Sequence, residues 1–199
     1  MTRLGYPSVM GEQPDGPLFF TGDDPMSVTA DLLNTIDLLA TPADRLTEQR
    51  HLRLFLEGHG YPARPVRTGD LGTVSRLREQ LRAVWQADDL AIAADRLNSL
   101  LTRHRPVPRL RLGPDGADVE FGDRSAPVRA MIDDVLGALL QELAAHGTAR
   151  LGTCVGDPCR CVFLDRSRNR ARRYCCEICT NRAAAAAFRR REREARRSR

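Results

Sequence analysis

Apolar residues recur at helical spacing over most of this chain. Val28, Leu32 and Ile36 fall every four positions, which predicts a first helix over residues 24–37. Thr41 followed by Pro42 has the chemistry of a helix start: a hydroxyl that can cap, then proline at the first helical position. A second helix is therefore expected from there to about Glu57, stopped by Gly58 or Gly60. After a proline-containing linker over 61–69, Leu71, Val74, Leu77, Leu81 and Val84 make one stripe and place a third helix over 70–87. A fourth is expected over 88–103. Met131, Val135, Leu139 and Leu143 mark a long helix over 126–146 that Gly147 ends. Between these two the period changes. Leu110 and Leu112 alternate with arginine, Gly113-Pro114-Asp115-Gly116 follows, and Val119 and Phe121 resume the alternation, which reads as a small β-hairpin. Residues 1–17, rich in Gly and Pro, read as a loose arm, with a short strand at Leu18–Phe20.

At 199 residues and 42% hydrophobic, the chain can bury one medium core and carry a small module beside it. No apolar run approaches the ~20 residues of a spanning helix, so no membrane association is expected. The first twenty residues lack a basic patch followed by an apolar stretch, which argues against a secretory signal and for a cytoplasmic protein. The net charge of +5 hides an asymmetry. From Arg160 to Arg199 there are fourteen arginines and four acidic residues, a local +10, which leaves −5 for everything before. An acidic body with a basic end suits a polyanion partner. There is no lysine; every base is arginine.

All six cysteines lie after Leu151: Cys154, Cys159, Cys161, Cys175, Cys176 and Cys179. In a chain read as cytoplasmic, such clustering points to metal rather than disulfides. Cys154 and Cys159 flank a turn bent by Gly156-Asp157-Pro158. Val162-Phe163-Leu164 reads as a strand and Arg172-Arg173-Tyr174 as its returning partner. Cys175 and Cys179, four apart, would then share the face of a helix that opens there. The expected set is Cys154, Cys159, Cys175 and Cys179 around one structural zinc. Cys176 with Cys179 is also same-faced, and Cys161 lies two positions after Cys159, where a chain already in a strand would point it away; either can replace a member. Turn, hairpin and helix in that order make a treble-clef finger. The fold class expected is mostly α: a helical domain with a small hairpin over 18–150, then a zinc finger over 151–199 ending in a basic helix.

From Cys154 onward the residues resemble the CGNR-type zinc finger. The family's signature tetrapeptide is Cys179-Thr180-Asn181-Arg182 here, with threonine in place of glycine. Phe163, Asp165, Ser167, Arg168, Asn169, Arg173 and Tyr174 match as well, Tyr174 standing where tryptophan is frequent. The second cysteine pair is one residue closer than in many members. Ala30-Asp31-Leu32-Leu33-Asn34-Thr35, Leu38-Leu39-Ala40-Thr41-Pro42, Leu77-Arg78-Glu79 and Leu97-Asn98 are similar to the ABATE domain that usually precedes this finger. The resemblance implies a stress-linked bacterial transcription regulator.

The function expected is zinc-dependent DNA binding. Arg182, Arg189, Arg190, Arg193 and Arg196 edge an alanine-rich terminal helix, and Arg168, Arg170 and Arg172 lie before it. Guanidinium groups on a slim helix suit duplex DNA. The helical domain would bind a small-molecule effector or form a homodimer. Two other readings stand beside this one: a module that binds RNA or a protein, and a redox switch that uses the spare thiols of Cys161 or Cys176. No catalytic residue is expected. His51, His59, His104 and His146 are scattered, and none is in the finger. Asp133-Asp134 reads as helix-start or solvated carboxylates, Trp85, Tyr174 and Phe188 as core. Arg173 or Arg182 is expected to pair with Asp165, and Asp31 with Asn34 reads as a buried network or a small polar pocket.

Overall fold

The computed structural model describes residues 24–197 apart from 63, 114–115 and 123–125. The expected arm, the strand at Leu18–Phe20 and the Pro114-Asp115 turn lie outside the described residues. Five helices build the body: α1 (Pro25–Asn34), α2 (Gln49–Gly58), α3 (Asp70–Trp85), α4 (Leu90–His104) and α5 (Pro127–His146). A hairpin of β1 (Pro108–Gly113) and β2 (Gly116–Phe121) interrupts them, and β3 (Leu151–Thr153), β4 (Val162–Leu164) and α6 (Glu177–Arg197) complete the chain.

Local chemistry explains most boundaries. The carboxylate of Asp24 accepts the Ser27 N–H at 3.2 Å and Pro25 takes the first turn of α1, so both groups suit an N-terminus. Asp89 does the same for α4, accepting the Ile92 N–H at 2.8 Å. Gly147, with φ of +60°, ends α5 as its lack of a Cβ permits. The hairpin register pairs Leu110 with Val119 and Leu112 with Ala117. Phe121 pins it to the body. A Cβ at Gly137 of α5 would lie 2.2 Å from the Phe121 ring, so only glycine leaves room there.

The second helix departs from expectation. Thr41 and Pro42 start nothing, and α2 begins at Gln49. The core claims the intervening segment instead. Leu46 is buried, and the buried Arg78 grips Asp44 with two hydrogen bonds of 2.8 and 2.6 Å. Thr35 and Asp37 tie the loop further, through Arg45 N–H to Thr35 O at 2.9 Å and Asp37 N–H to Ala43 O at 2.8 Å. Ile36, read as helical, sits in an isolated bridge to Asp44.

One apolar core unites the five helices. Leu32, Leu33, Leu52, Phe55, Leu77, Leu81, Trp85, Met131 and Leu139 are sealed from solvent, and Val162 of β4 joins the same cluster. Asp133 and Asp134 are buried in it rather than solvated. Asp133 Oδ2 accepts from Arg129 Nε at 2.8 Å and Asp134 from the Tyr61 hydroxyl at 3.0 Å, so each buried carboxylate has a donor, while Asp133 Oδ1 is left without one among the described residues.

Candidate metal centre and the basic helix beyond it

The cysteine-rich end is docked on the body by polar groups placed with care for the backbone. The side-chain amide of Asn34, on α1, accepts the Val162 N–H at 2.7 Å and donates to the Val162 carbonyl at 3.0 Å. It thereby occupies the edge of β4 as a neighbouring strand would. Trp85 Nε1 donates to the Gly152 carbonyl at 3.0 Å, and Arg82 reaches the carbonyls of Leu33 and Arg160. Asp31, on the same face of α1 as Asn34, is buried 3.6 Å from His59.

The partner of β4 is β3, not Arg172-Arg173-Tyr174. The register sets Leu151 opposite Leu164 and Thr153 opposite Val162. Gly152 accounts for this choice: a Cβ there would lie 2.3 Å from the Phe163 ring, so the ring lies across a bare backbone. The first cysteine turn therefore falls between the two strands. Cys154 N–H bonds to the Cys161 carbonyl at 2.8 Å to close it, and the Arg173 carbonyl accepts the Val155 N–H at 3.1 Å from the side. The order along the chain is strand, turn, strand, loop, helix.

The sulfur atoms of Cys154, Cys159, Cys175 and Cys179 all lie within 4.8 Å of one another. Cys159 and Cys175 are 3.7 Å apart, as are Cys175 and Cys179. Zinc at about 2.3 Å from four tetrahedral sulfurs puts them about 3.8 Å apart, so the residues fit the ion. None of the six cysteines is in a disulfide. Cys175 lies two residues before α6, not within it, while Cys179 is on its first turn. Cys161 does not point away: it is buried in the same cluster, against Cys159 and Cys175, and Cys176 lies with its sulfur 3.8 Å from that of Cys175.

Electrostatics favour a cation here. Hydrogen bonds from Cys161, then Cys175, hold the Cys159 thiol far below its ordinary range. The same contact with Cys159, then that with Cys161, pushes Cys175 far above it, and burial pushes Cys179 up to about 12. The Cys159 thiolate is favoured, and Cys175 and Cys179 then resist ionising. A dication bound among them supplies the positive charge that lets all four sulfurs carry theirs.

Asp165 organises the loop before the helix. Its buried carboxylate accepts the N–H of Ser167 at 2.9 Å and of Arg172 at 3.0 Å. Hydrogen bonds from the Ser167 hydroxyl first, then from these amides, hold it below the usual carboxylate range. Neither Arg173 nor Arg182 is its partner, because the backbone has already filled it. Arg182 Nη2 donates instead to the Asp157 carbonyl at 3.3 Å, bracing α6 against the cysteine turn. Arg172 is equally occupied: its guanidinium lies 4.6 Å from the centroid of Phe163 and donates to the carbonyls of Tyr174 and Cys175. Arg168 and Arg170 are exposed on the loop.

The helix α6 spans 21 residues, about 31 Å, and Cys179 is its only buried residue. Arg182, Arg189, Arg193 and Arg196, spaced by seven, four and three, follow one face. Its first part, Arg182 and Arg189 with Arg190 at the border, lines a groove of about 610 Å³ whose other wall is Val155, Gly156 and Asp157. Phe188, expected in a core, is exposed on the same helix, while Tyr174 is half-buried against the cysteines. Asn34 reads as part of a buried network, but its partner Val162 was not legible, since an amide that completes a strand edge 128 positions away leaves no local pattern.

Comparison with known families agrees with this geometry. The CGNR zinc finger model matches residues 150–192. The ABATE model, described as "Putative stress-induced transcription regulator", matches residues 27–153. No curated protein matches the chain. The structure of the cysteine-rich end is thus a CGNR zinc finger with four cysteines arranged for binding zinc, and the chain as a whole belongs to the ABATE family.

Proposed function

We propose that the chain is a DNA-binding transcription regulator, without catalytic activity, whose finger presents α6 to duplex DNA. Zinc is held by Cys154, Cys159, Cys175 and Cys179. The observation that carries the reading is the exposed arginine face of α6: a helix buried at one cysteine only, with Arg182, Arg189, Arg193 and Arg196 in line along an alanine-rich surface. Small side chains let such a helix approach a groove closely, and guanidinium groups pair with phosphates and guanine edges. Arg168, Arg170 and Arg190 add contacts at its flanks. Arg172, already bonded to Tyr174 and Cys175, serves by shaping the loop.

The body would supply the control. A cleft of about 860 Å³ opens between α1, α5, the hairpin and the finger, with Met26, Tyr61, Glu120, Asp134 and Arg166 among its walls. A small-molecule effector seated there would touch body and finger together. A homodimer would find an apolar surface on the hairpin, where Leu110 and Leu112 are 74% and 84% exposed. No helix among the described residues is long and apolar enough to cross a membrane. A thiolate cluster needs a reducing compartment, so the reading carries a cytoplasmic location with it.

The test is fluorescence anisotropy of labelled duplex DNA with zinc-loaded protein over a salt series. Four phosphate contacts give a slope of about −3.6 in log K against log salt. Replacing Arg189, Arg190, Arg193 and Arg196 by glutamine, which leaves the Arg182 brace in place, should flatten the slope and weaken binding. A zinc-loaded protein that ignores duplex DNA at low salt, or a variant that binds like the parent, removes the proposal.

A further inference from the structure

The finger holds six sulfurs where zinc needs four, and the surplus is not scattered. Three of the four clustered cysteines, Cys154, Cys159 and Cys179, are buried, and Cys175 alone is partly open to solvent. Both surplus thiols stand against that one. Cys176 has its sulfur 3.8 Å from Cys175, and Cys161 is buried within the same sulfur cluster. The reachable member of the set is therefore also the one with spare thiols around it.

We propose that Cys175 is a peroxide-reactive site and Cys161 its resolving thiol, so that a hydroperoxide converts the pair to a disulfide and frees the zinc. The inference rests on the zinc site and not on DNA binding. In the first step the Cys175 thiolate attacks one oxygen of hydrogen peroxide. A sulfur–oxygen bond forms as the oxygen–oxygen bond breaks, and hydroxide leaves, taking a proton from solvent. In the second step the Cys161 sulfur attacks the sulfenic sulfur of Cys175. A sulfur–sulfur bond forms, the sulfur–oxygen bond breaks, and the departing hydroxide takes the Cys161 proton to become water. Two thiols lose two electrons, peroxide gains them, and two waters result.

Geometry selects Cys161 over Cys176 as the resolving partner. Adjacent residues in a trans chain have Cα atoms about 3.8 Å apart, below the usual disulfide range of about 4.4–6.8 Å. Cys161 comes from a different segment and is free of that limit. Once Cys175 is tied to Cys161, the site keeps three of its four sulfurs and its hold on zinc weakens.

The experiment treats the full-length zinc-loaded protein with a small molar excess of hydrogen peroxide. Zinc is followed with a chromogenic chelator, and disulfides by peptide mapping without reductant. One zinc should leave per Cys161–Cys175 disulfide, and thiol reductant with added zinc should reverse both. Untreated Cys161→Ser should still carry one zinc per chain yet release it several-fold more slowly under peroxide; Cys176→Ser should behave as the parent. Equal release from Cys161→Ser, a disulfide mapped to Cys175–Cys176, or an untreated Cys161→Ser that holds no zinc would each overturn the proposal. None of these readouts involves DNA, so a failure of the regulator reading leaves them intact.

Discussion

Phe55, Leu32 and Trp85 lie in a core shared by five helices, whereas the buried cluster of the finger is four cysteines with Tyr174 at their side. The body can fold on the transfer of apolar surface from water. The finger has too little such surface, and its geometry depends on sulfur, a dication and the amides around Asp165. Yet the two are not strung together. Val162 lies in the body's core, Asn34 completes the edge of β4, and Trp85 holds β3. The contrast teaches that two means of stabilisation can share one seam, so each can be removed while the other is watched.

Removing zinc should have the largest effect. Structural zinc contributes on the order of 10–16 kcal/mol to such a module. A strong chelator should melt α6 and leave α1 to α5 folded. Circular dichroism should lose helical signal equivalent to about the 21 residues of α6, with the thermal transition of the body retained. Loss of the entire helical signal would erase the distinction between the regions. The converse substitution, Phe55→Ala, should cost about 3–5 kcal/mol by opening a cavity in the body. Calorimetry should show a lowered transition while metal analysis still finds one zinc per chain.

Asn34→Ala should cost about 1–3 kcal/mol, because it strands a buried N–H and a buried carbonyl of Val162 at once. Denaturant titration would measure this, and backbone hydrogen exchange at Val162 should rise with it. The smallest effect is that of pH at Asp165. Its pKa is lowered on folding, so its contribution is complete above the unfolded value of about 3.9 and fades as pH falls through the lower folded value. Asp165→Asn should therefore be less stable than the parent at neutral pH, the gap closing in acid. A gap that persists at low pH would mean the carboxylate's charge is not what the loop uses.

The sequence was most legible where contacts are local. Periodicity placed α3, α4 and α5 within about three residues of their ends, and alternation found the hairpin. The four cysteines whose sulfurs converge stood out because a turn and a short helical step bring them together in pairs. What was not legible had distant causes. Arg78 of α3 takes Asp44 and so delays α2; Gly152 offers Phe163 a bare backbone and so gives β4 a different partner. Asp133 and Asp134 read as surface because neither Arg129's reach nor the Tyr61 hydroxyl shows in a charge pattern. Phe188 read as core because an isolated aromatic carries no sign of whether anything packs on it.

The amide of Asn34 bears on how such a module can travel between genes. The spans matched by the two family models overlap at residues 150–153, which contain β3. A finger transplanted from that point would arrive with one rim of β4 bare and Val162 exposed, inviting a stranger's strand to pair with it. Its recipient would need its own asparagine waiting at the right height, which makes these two halves poor candidates for independent shuffling.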